Sequence, residues 1–208
     1  FSGVDVTVAA VGSLNALVAA TGDASVTAAG NLTVGGTAVN LTTNSGGTTS
    51  FGTTTLTGAL TTVSVGDITQ TGPIITGAPS SITSTTGDIT LNNAGNSFFG
   101  ATSFSGQDVS VAASGALTAT VAATGNAAFS ATGNLTVSGL ATNLTTNSGG
   151  ATRLGVTTLT CNLSAASVGD ITQTGALVVP GTTTLSAGTD NITLSDAGNN
   201  FRTVNITS

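Results

Sequence analysis

The sequence lacks most of the side chains on which enzymes depend. Its 208 residues contain no His, Lys, Glu, Met, Trp or Tyr; all eight acidic residues are aspartates, and Arg153 and Arg202 are the two cations. General acid–base catalysis needs a group that titrates near the working pH, and a Ser or Thr nucleophile needs an adjacent base. We therefore expect no catalytic residue, no cofactor and no enzymatic activity. The alternative from another functional class is a β-helix enzyme that cleaves carbohydrates. Such an enzyme would concentrate acidic and basic residues on one face, and this chain has too few charged residues for that.

The shortage of positive charge also limits the kinds of binding partner that the chain can have. With a net charge of −6, the chain has too few cations to contact phosphates, so we expect no nucleic-acid binding. No stretch is apolar for long enough to cross a bilayer as a helix, so we expect no membrane insertion. Cys161, the single cysteine, cannot form an internal disulfide and is expected to be an incidental small side chain. The chain starts at Phe1 without a Met or a secretion signal, and we interpret it as an excerpt or mature fragment.

The residues that are abundant favour β-structure rather than disorder. The chain is 39% hydrophobic and contains 29 glycines but only three prolines. Val, Ile and Thr are β-branched residues that favour strands, and the spaced glycines suit turns between short strands. The composition predicts an all-β protein.

The chain repeats itself with a period of 103 residues. FSGVDVTVAA at 1–10 matches FSGQDVSVAA at 104–113, and GDITQTG occurs at both 66–72 and 169–175. The alignment continues without a gap to Ser208, so the predicted units are 1–103 and 104–206, with 207–208 starting a further unit. A repeat of this kind indicates a repetitive architecture rather than two unrelated domains.

A shorter period of about 19–21 residues runs inside the long one. Aliphatic residues alternate with polar ones, as in Ile89 and Leu91, and the same pattern returns in Val109 and Val111, then in Ala127 and Phe129. Recurrence of one side-chain type at one place in successive segments favours a parallel β-helix over a sandwich or barrel. We predict about five coils per 103 residues, which corresponds to a rise of about 24 Å per unit and about 48 Å for the chain.

GDITQTG is predicted to open one coil of each unit. Gly66 would make the corner, Asp67 would bond neighbouring backbone amides, and Ile68 would enter the core. Alternation also turns Gln70 inward, where its amide needs partners such as an equivalent group or water.

The repeat style resembles that of filamentous-haemagglutinin-type proteins, which are large secreted bacterial exoproteins rich in β-strand repeats. The segments that carry this resemblance are GDITQTGALVVPGTTTLSAG (169–188), TDNITLSDAGNNF (189–201) and the 19-residue coils, and it covers essentially the whole chain. The resemblance implies a right-handed β-helix shaft exported to the bacterial cell surface for adhesion or extracellular structure.

Three polar patterns are candidate sites. A predicted corner column comprises Asp67, Asp88, Asp108, Asn126, Asp170 and Asn191. Stacked carboxylates could hold Ca²⁺, but the calcium-binding repeat GGxGxDxUx is absent and two positions are Asn, so capping of corners is the preferred interpretation. The 44 threonines could form an ice-binding face, but their spacing in the sequence drifts, so ordinary solvent-facing threonines are expected.

The third pattern is formed by asparagines. Asn40, Asn44, Asn143 and Asn147 flank the NLTTNSGG loops, where we expect loop and ladder hydrogen bonds. Tripeptides that match the glycosylation sequon begin at Asn31, Asn40 and Asn191, among other positions, and we interpret them as chance matches in an Asn/Thr-rich chain.

The sequence as a whole predicts a non-catalytic shaft segment of a long fibre or adhesin, outside the cell or on its surface. The alternative is an ice- or glycan-binding solenoid that acts through one polar face. Because Ser208 is in phase with Ser2 and Ser105, the expected partner is the chain itself, by covalent continuation or head-to-tail stacking; surface glycans are a further candidate. No catalytic, cofactor-binding or metal-binding residue is assigned.

Overall fold

The computed structural model describes residues 1–207, and these residues form strands and turns without a helix. No segment in this part of the chain is therefore a helix long and apolar enough to cross a membrane. The strands are β1 Ser2–Gly3, β2 Val6–Ala10, β3 Leu14–Ala20, β4 Ala24–Ala28, β5 Leu32–Ala38, β6 Leu41–Ser45, β7 Thr49–Leu56, β8 Leu60–Ser64, β9 Ile68–Gln70, β10 Ile74–Thr76, β11 Ser81–Ser84, β12 Ile89–Leu91, β13 Ser97–Phe98, β14 Ala101–Gly106, β15 Val109–Ala113, β16 Leu117–Ala123, β17 Ala127–Ala131, β18 Leu135–Ala141, β19 Leu144–Ser148, β20 Thr152–Leu159, β21 Leu163–Ser167, β22 Ile171–Gln173, β23 Leu177–Ser186, β24 Ile192–Thr193 and β25 Asn200–Thr207.

Each strand pairs in parallel with the strand one turn before it and one turn after it. The paired strands form two series along the axis, which we call stacks. Stack A starts with β1 and β3, and stack B starts with β2 and β4. One column of stack A runs through ten successive pairings: Leu14, Leu32, Thr49, Ile68, Ile89, Val109, Ala127, Leu144, Leu163, Thr183 and Val204. The protein is a parallel β-solenoid of about 11 turns, which confirms the predicted fold class. The right-handed sense of the coil stays a prediction.

The 103-residue unit contains five and a half turns rather than a whole number. The repeat makes Leu117 the equivalent of Leu14, yet the column of Leu14 passes through Val109 and Ala127 and never through Leu117. Leu117 instead stacks with Leu135 and Thr152 in stack B. The estimate of about five coils is thereby refined, and a given sequence returns to the same side of the solenoid only after two units.

Two consequences follow for the dimensions and the symmetry of the solenoid. With a spacing of about 4.8 Å between strands, one unit rises about 26 Å and two units rise about 53 Å. The short strands of the first unit lie in stack B, whereas their equivalents in the second unit, such as β17 and β19, lie in stack A. Successive units therefore present the same surface on alternate sides.

The core is a continuous column of small and aliphatic side chains along the axis. In β16 and β17 every second residue is buried, as period-2 alternation predicts. Phe98, Phe104 and Phe129 pack in series where the two units meet, with ring centroids 5.9 Å and 5.8 Å apart. This aromatic contact fills the cross-section at the junction, where the strands exchange sides.

The longer strands bend at a bulge in the middle. In β5 the pairing with β7 shifts between Val34 and Gly36, and Gly36 has a φ of 119°. The equivalent Gly139 of β18 has a φ of 126° at the same kind of shift. This backbone region favours glycine, so the bulge explains why both units keep a glycine there.

A difference between the units in the core gives a stability prediction. Thr43 and Thr62 pair through their hydroxyl groups in the first unit, 2.5 Å apart, whereas their equivalents are Thr146 and Ala165. Thr146 is buried, and among the described residues its Oγ1 has no hydrogen-bond partner. Replacing Thr146 by valine should raise the free energy of unfolding by about 1 kcal/mol, because it removes an unpaired buried polar atom and keeps the shape.

The matched control is Thr43→Val, which leaves the hydroxyl of Thr62 unpaired and should destabilise the protein. Urea denaturation of the two variants measures the difference. Equal destabilisation by both substitutions would show that the hydroxyl of Thr146 is satisfied in solution.

Candidate functional site: the corner ladders and the amide clamp

The corner before each stack A strand carries a ladder of side-chain-to-backbone hydrogen bonds. Oδ1 of Asp67 accepts from the backbone N–H of Asp88 at 2.9 Å, and Oδ1 of Asp88 accepts from Asp108 N–H at 3.0 Å. Asp108 accepts in turn from Asn126 N–H. Each polar side chain thus satisfies an amide at the corner of the next turn, as predicted for this column.

The column does not continue to Asp170 and Asn191, which lie at the corner of stack B. There Oδ1 of Asp170 accepts from Asn191 N–H at 2.9 Å. The stack A ladder continues instead through Asn143 and Asn162, joined by a bond of 3.0 Å from Asn162 N–H to Asn143 Oδ1. The expected single column was wrong at this point, because half a turn per unit moves the repeated motif to the other corner.

The carboxylates of the ladder are already engaged with the backbone. Oδ1 of each of Asp67, Asp88 and Asp108 accepts an N–H group, and within residues 1–207 no three acidic or sulfur groups converge in a way that could hold a metal ion. Ca²⁺ prefers six to eight oxygen ligands around one centre. The geometry is that of successive corner caps rather than of a shared cation site.

This arrangement predicts that a chelator does not change stability. The melting temperature at neutral pH should be the same in EDTA as in excess CaCl₂, because no ligand cluster would be lost. Circular dichroism melting checks this prediction. A melting temperature that rises with CaCl₂ and falls with EDTA would contradict it and would identify the aspartate ladder as a cation site.

The sequon-like tripeptides are explained by the same corner geometry. In Asn40-Leu-Thr the Asn caps the corner, Leu41 is buried and Thr42 faces outward. Nδ2 of Asn40, the atom that glycosylation would modify, donates to Asp23 at 2.9 Å, and its Oδ1 accepts from Ala59 N–H at 2.8 Å. Oδ1 of Asn31 likewise accepts from Thr48 N–H at 3.0 Å. A capping Asn, then a buried aliphatic residue and then an outward Thr thus give the sequon pattern, and the pattern needs no glycosylation to explain it.

Gln70 is hydrogen-bonded to Asn96, a partner that the sequence did not predict. The two side-chain amides pair reciprocally: Gln70 Nε2 donates to Asn96 Oδ1 and Asn96 Nδ2 donates to Gln70 Oε1, both at 2.8 Å. Asn96 is fully buried and also accepts from Ile74 N–H at 2.9 Å while donating to the carbonyls of Leu91 and Ala112. We call this set of contacts the amide clamp.

The second unit contains the same clamp. Gln173 and Asn199 pair at 2.9 Å in both directions, and Asn199 Oδ1 accepts from Leu177 N–H at 2.9 Å. The two members of each clamp lie 26 residues apart, in GDITQTG and in the later AGN of NNAGN or SDAGN. The recurrence of AGN 26 residues after each inward Gln was the signal in the sequence that could have revealed the pairing.

The outward surface of stack B in the first unit is an uncharged array of small side chains. One column contains Thr7, Ser25, Thr42, Thr61, Ser81 and Ser103. The spacing of these residues in the sequence varies, which argued against a regular threonine face. The corners differ in length and take up this variation, so the hydroxyl groups still align in register. The neighbouring column is mixed, with Ala9, Asn44 and Val63 among its members.

The remaining groups with reactive chemistry are scattered. Arg153 and Arg202 are exposed on β20 and β25, and the thiol of Cys161 is free and partly buried at a turn. A surface groove of about 280 Å³ lies where the two units meet and is lined largely by Ser, Thr and Gly residues, among them Ser84, Thr86 and Thr124. Hydrogen-bonding groups without a titrating partner can bind neutral polar surfaces but supply no proton transfer.

Parallel strands, stacked turns and corner ladders place the chain in the class of parallel β-solenoids. A family model described as "Repeats of unknown function (DUF5649)" matches residues 38–105 and 141–208, which together make up more than half of the chain. The chain belongs to this family of repeats. The two matches are 103 residues apart, and each contains one complete amide clamp. No curated protein and no solved structure matches the chain.

Proposed function

We propose that the chain is a non-catalytic structural segment of the shaft of a long fibre or adhesin. The observation that carries this proposal is the single column of pairings that runs from Leu14 to Val204 through every turn. Each added turn extends the axis while the cross-section and its contacts stay the same, which is how solenoids build length. The side chains of the corners, which could have supplied chemistry, are used to hold one turn to the next.

The location that fits this proposal is outside the cell or on the bacterial cell surface. The resemblance to filamentous-haemagglutinin-type repeats supports it, and so does a surface of neutral hydroxyl groups with few charges. Cell fractionation of a producing strain, with protease added to intact cells, tests the location. Protection from the protease until the cells are lysed would contradict it.

The shaft proposal is tested by length. Chains of two, four and six units should form rods whose length grows by about 26 Å per unit, as measured by small-angle X-ray scattering and electron microscopy. The diameter should stay constant. A radius of gyration that grows only as the cube root of chain mass would indicate a compact particle and would contradict the proposal.

The aligned hydroxyl column favours one second candidate, an ice- or glycan-binding solenoid that acts through a polar face. Thermal hysteresis and glycan-array binding test it, with Thr42→Lys and Thr61→Lys as variants that place charges in the middle of the column. Activity that disappears in these variants, and persists when the control Thr145 is changed, would favour the binding module over a purely structural segment. Thr145 is the sequence equivalent of Thr42 but lies in stack A.

A further inference from the structure

A groove lies on the outer face of stack A, where the first unit meets the second. It consists of two cavities of about 430 Å³ and about 140 Å³, which adjoin because Ser130 and Asn147 line both of them. Strands β15, β17 and β19 of the second unit form its floor, and the loop after β12 of the first unit forms a wall at one end. We call this site, between Asn92 and Gly149, the junction groove. Its larger cavity is in the size range of small-ligand sites.

The floor of the junction groove is apolar because of two alanines. One outward column of stack A consists of hydroxyl side chains with a single exception, Ala128: it runs through Thr90, Ser110, Ala128, Thr145, Ser164 and Thr184. In the first unit the equivalent of Ala128 is Ser25. Ala112 lies in the neighbouring outward column, one turn before Ser130. Two methyl groups therefore replace longer polar side chains at the centre of the groove.

Polar side chains that are free to bind a ligand surround this floor. Ser130, Thr145 and Asn147 alternate with buried residues on β17 and β19 and therefore face outward. Within residues 1–207 their side chains make no hydrogen bond, in contrast to Ser110, which is bonded to Asn92. A hydroxyl and a side-chain amide can each donate and accept hydrogen bonds. All the residues that line the two cavities are uncharged, so the groove matches a neutral ligand.

The wall of the groove is fixed to the floor without any ligand. The side chains of Asn92 and Ser110 exchange two hydrogen bonds, at 2.9 Å and 3.1 Å, and Asn96 of the amide clamp donates to the carbonyl of Ala112 at 3.1 Å. The wall belongs to the first unit and these acceptors and donors belong to the second, so the groove is completed when two units join. A preformed groove loses little conformational entropy when it binds a ligand.

The backbone around the groove favours a glycan over a peptide. Strands β15, β17 and β19 are each paired on both sides, so they offer no free edge to which an extended peptide could add a strand. The groove crosses these strands along the axis, and the two turns from Ser110 to Thr145 span about 10 Å. A chain of sugars that lies along this path has hydroxyl groups for the polar side chains and C–H groups for the alanine floor.

We propose that the junction groove binds a neutral oligosaccharide. The methyl groups of Ala112 and Ala128 pack against the C–H groups of the sugars, and the side chains of Ser130, Thr145 and Asn147 bond to their hydroxyl groups. The site is separate from the hydroxyl column of stack B, and it goes beyond the structural function proposed above. A shaft with several such junctions would hold one long glycan at several places, which raises the overall affinity.

The test begins with the full chain on an array of neutral oligosaccharides of glucose, galactose, mannose and N-acetylglucosamine, with sialylated and sulfated glycans for comparison. Isothermal titration calorimetry then measures the affinity for the neutral oligosaccharide that gives the strongest signal. Ala128→Arg fills the groove, and Asn147→Ala removes one of its amides. Ser25→Arg and Asn44→Ala make the same changes at the equivalent positions of the first unit and are the matched controls. Circular dichroism melting verifies that all four variants fold.

We expect Ala128→Arg to abolish binding and Asn147→Ala to weaken it about tenfold, as the loss of hydrogen bonds to a neutral ligand would. The two controls should bind like the unmodified chain. Failure to bind any neutral oligosaccharide, a preference for the sialylated or sulfated glycans, or equal losses in the controls would overturn the proposal.

Sedimentation velocity tests whether a second copy of the chain occupies the groove instead. Self-association that Ala128→Arg removes and Ser25→Arg retains would assign the groove to a second copy and would also overturn glycan binding. The monomer fraction should be the same in both variants if the groove binds a glycan. The shaft proposal is tested separately by rod length, which none of these variants should change.

Discussion

Replacing Asn96 by alanine is expected to lower the free energy of unfolding by about 3–5 kcal/mol, a large effect for one exchange. Asn96 is fully buried and makes five hydrogen bonds, which join three successive turns of the solenoid. The substitution removes one hydrogen bond from each end of the Gln70 amide, which keeps its bonds to the carbonyl of Gly72 and the N–H of Asn93, and it leaves the N–H of Ile74 without its side-chain acceptor. Urea denaturation followed by circular dichroism measures the loss.

The matched control for this prediction is Asn92→Ala in the same loop. Asn92 is exposed, and its side chain bonds only to the partly buried Ser110, at 2.9 Å and 3.1 Å. Its removal should cost no more than about 1 kcal/mol. Equal effects of the two substitutions would contradict the assignment of Asn96 as the centre of the clamp.

Replacing Gly36 by alanine should destabilise the protein by about 3 kcal/mol or more, because two costs add. The φ of 119° is a region that residues with a side chain rarely adopt. A Cβ at this position would also overlap the carbonyl oxygen of Val18 in the turn below, and backbone cannot move aside as a flexible side chain can. The bulge of β5 would have to rearrange, and its pairing with β7 would change with it.

Gly12→Ala provides the comparison for this prediction. No atom lies within 4 Å of a Cβ built on Gly12, and its φ is not positive, so alanine should be tolerated or slightly stabilising. Thermal melting of the two variants measures the contrast. A tolerated Gly36→Ala would show that the bulge is not fixed by backbone contact between turns.

The sequence predicted the fold because stacked turns repeat their chemistry. Ile89, Val109 and Ala127 recur at similar spacing, and only a common core explains why the same face of each segment is aliphatic. The roles of Gly66, Asp67 and Ile68 followed from local rules for corners and strands, and the structure confirms the cap at Asp67 and the burial of Ile68.

The number of turns per unit could not be obtained in the same way. Turns in this chain range from 17 residues, between Leu32 and Thr49, to 22 residues, between Ser81 and Ser103. Because each turn has two strands that both begin with a cap and an aliphatic residue, a half turn and a whole turn look alike in sequence. The register between strands distinguishes them, and it moved Asp170 and Asn191 to the other corner.

The partner of Gln70 also lay beyond local reasoning. Alternation placed the side chain inward, but its hydrogen bonds come from Asn96 in an irregular loop on the following turn. Loops do not follow a fixed period, so the position of Asn96 within the core depends on the path of the chain between Leu91 and Ser97. The same pair of side chains occurs in the second unit, so the loop that carries Asn96 belongs to the repeating structure.

Distances between spin labels distinguish five and a half turns per unit from five whole turns. In a Cys161→Ser background, one chain carries nitroxide labels at Thr42→Cys and Ser138→Cys, and a second carries them at Thr42→Cys and Thr145→Cys. Ser138 lies five turns above Thr42 in the same column, whereas Thr145, its sequence equivalent, lies in the other stack. Five and a half turns per unit predict a distance of about 24 Å for the first pair and a clearly longer distance for the second. A distance of about 24 Å between positions 42 and 145, with the longer one between 42 and 138, would mean five whole turns per unit and would contradict it.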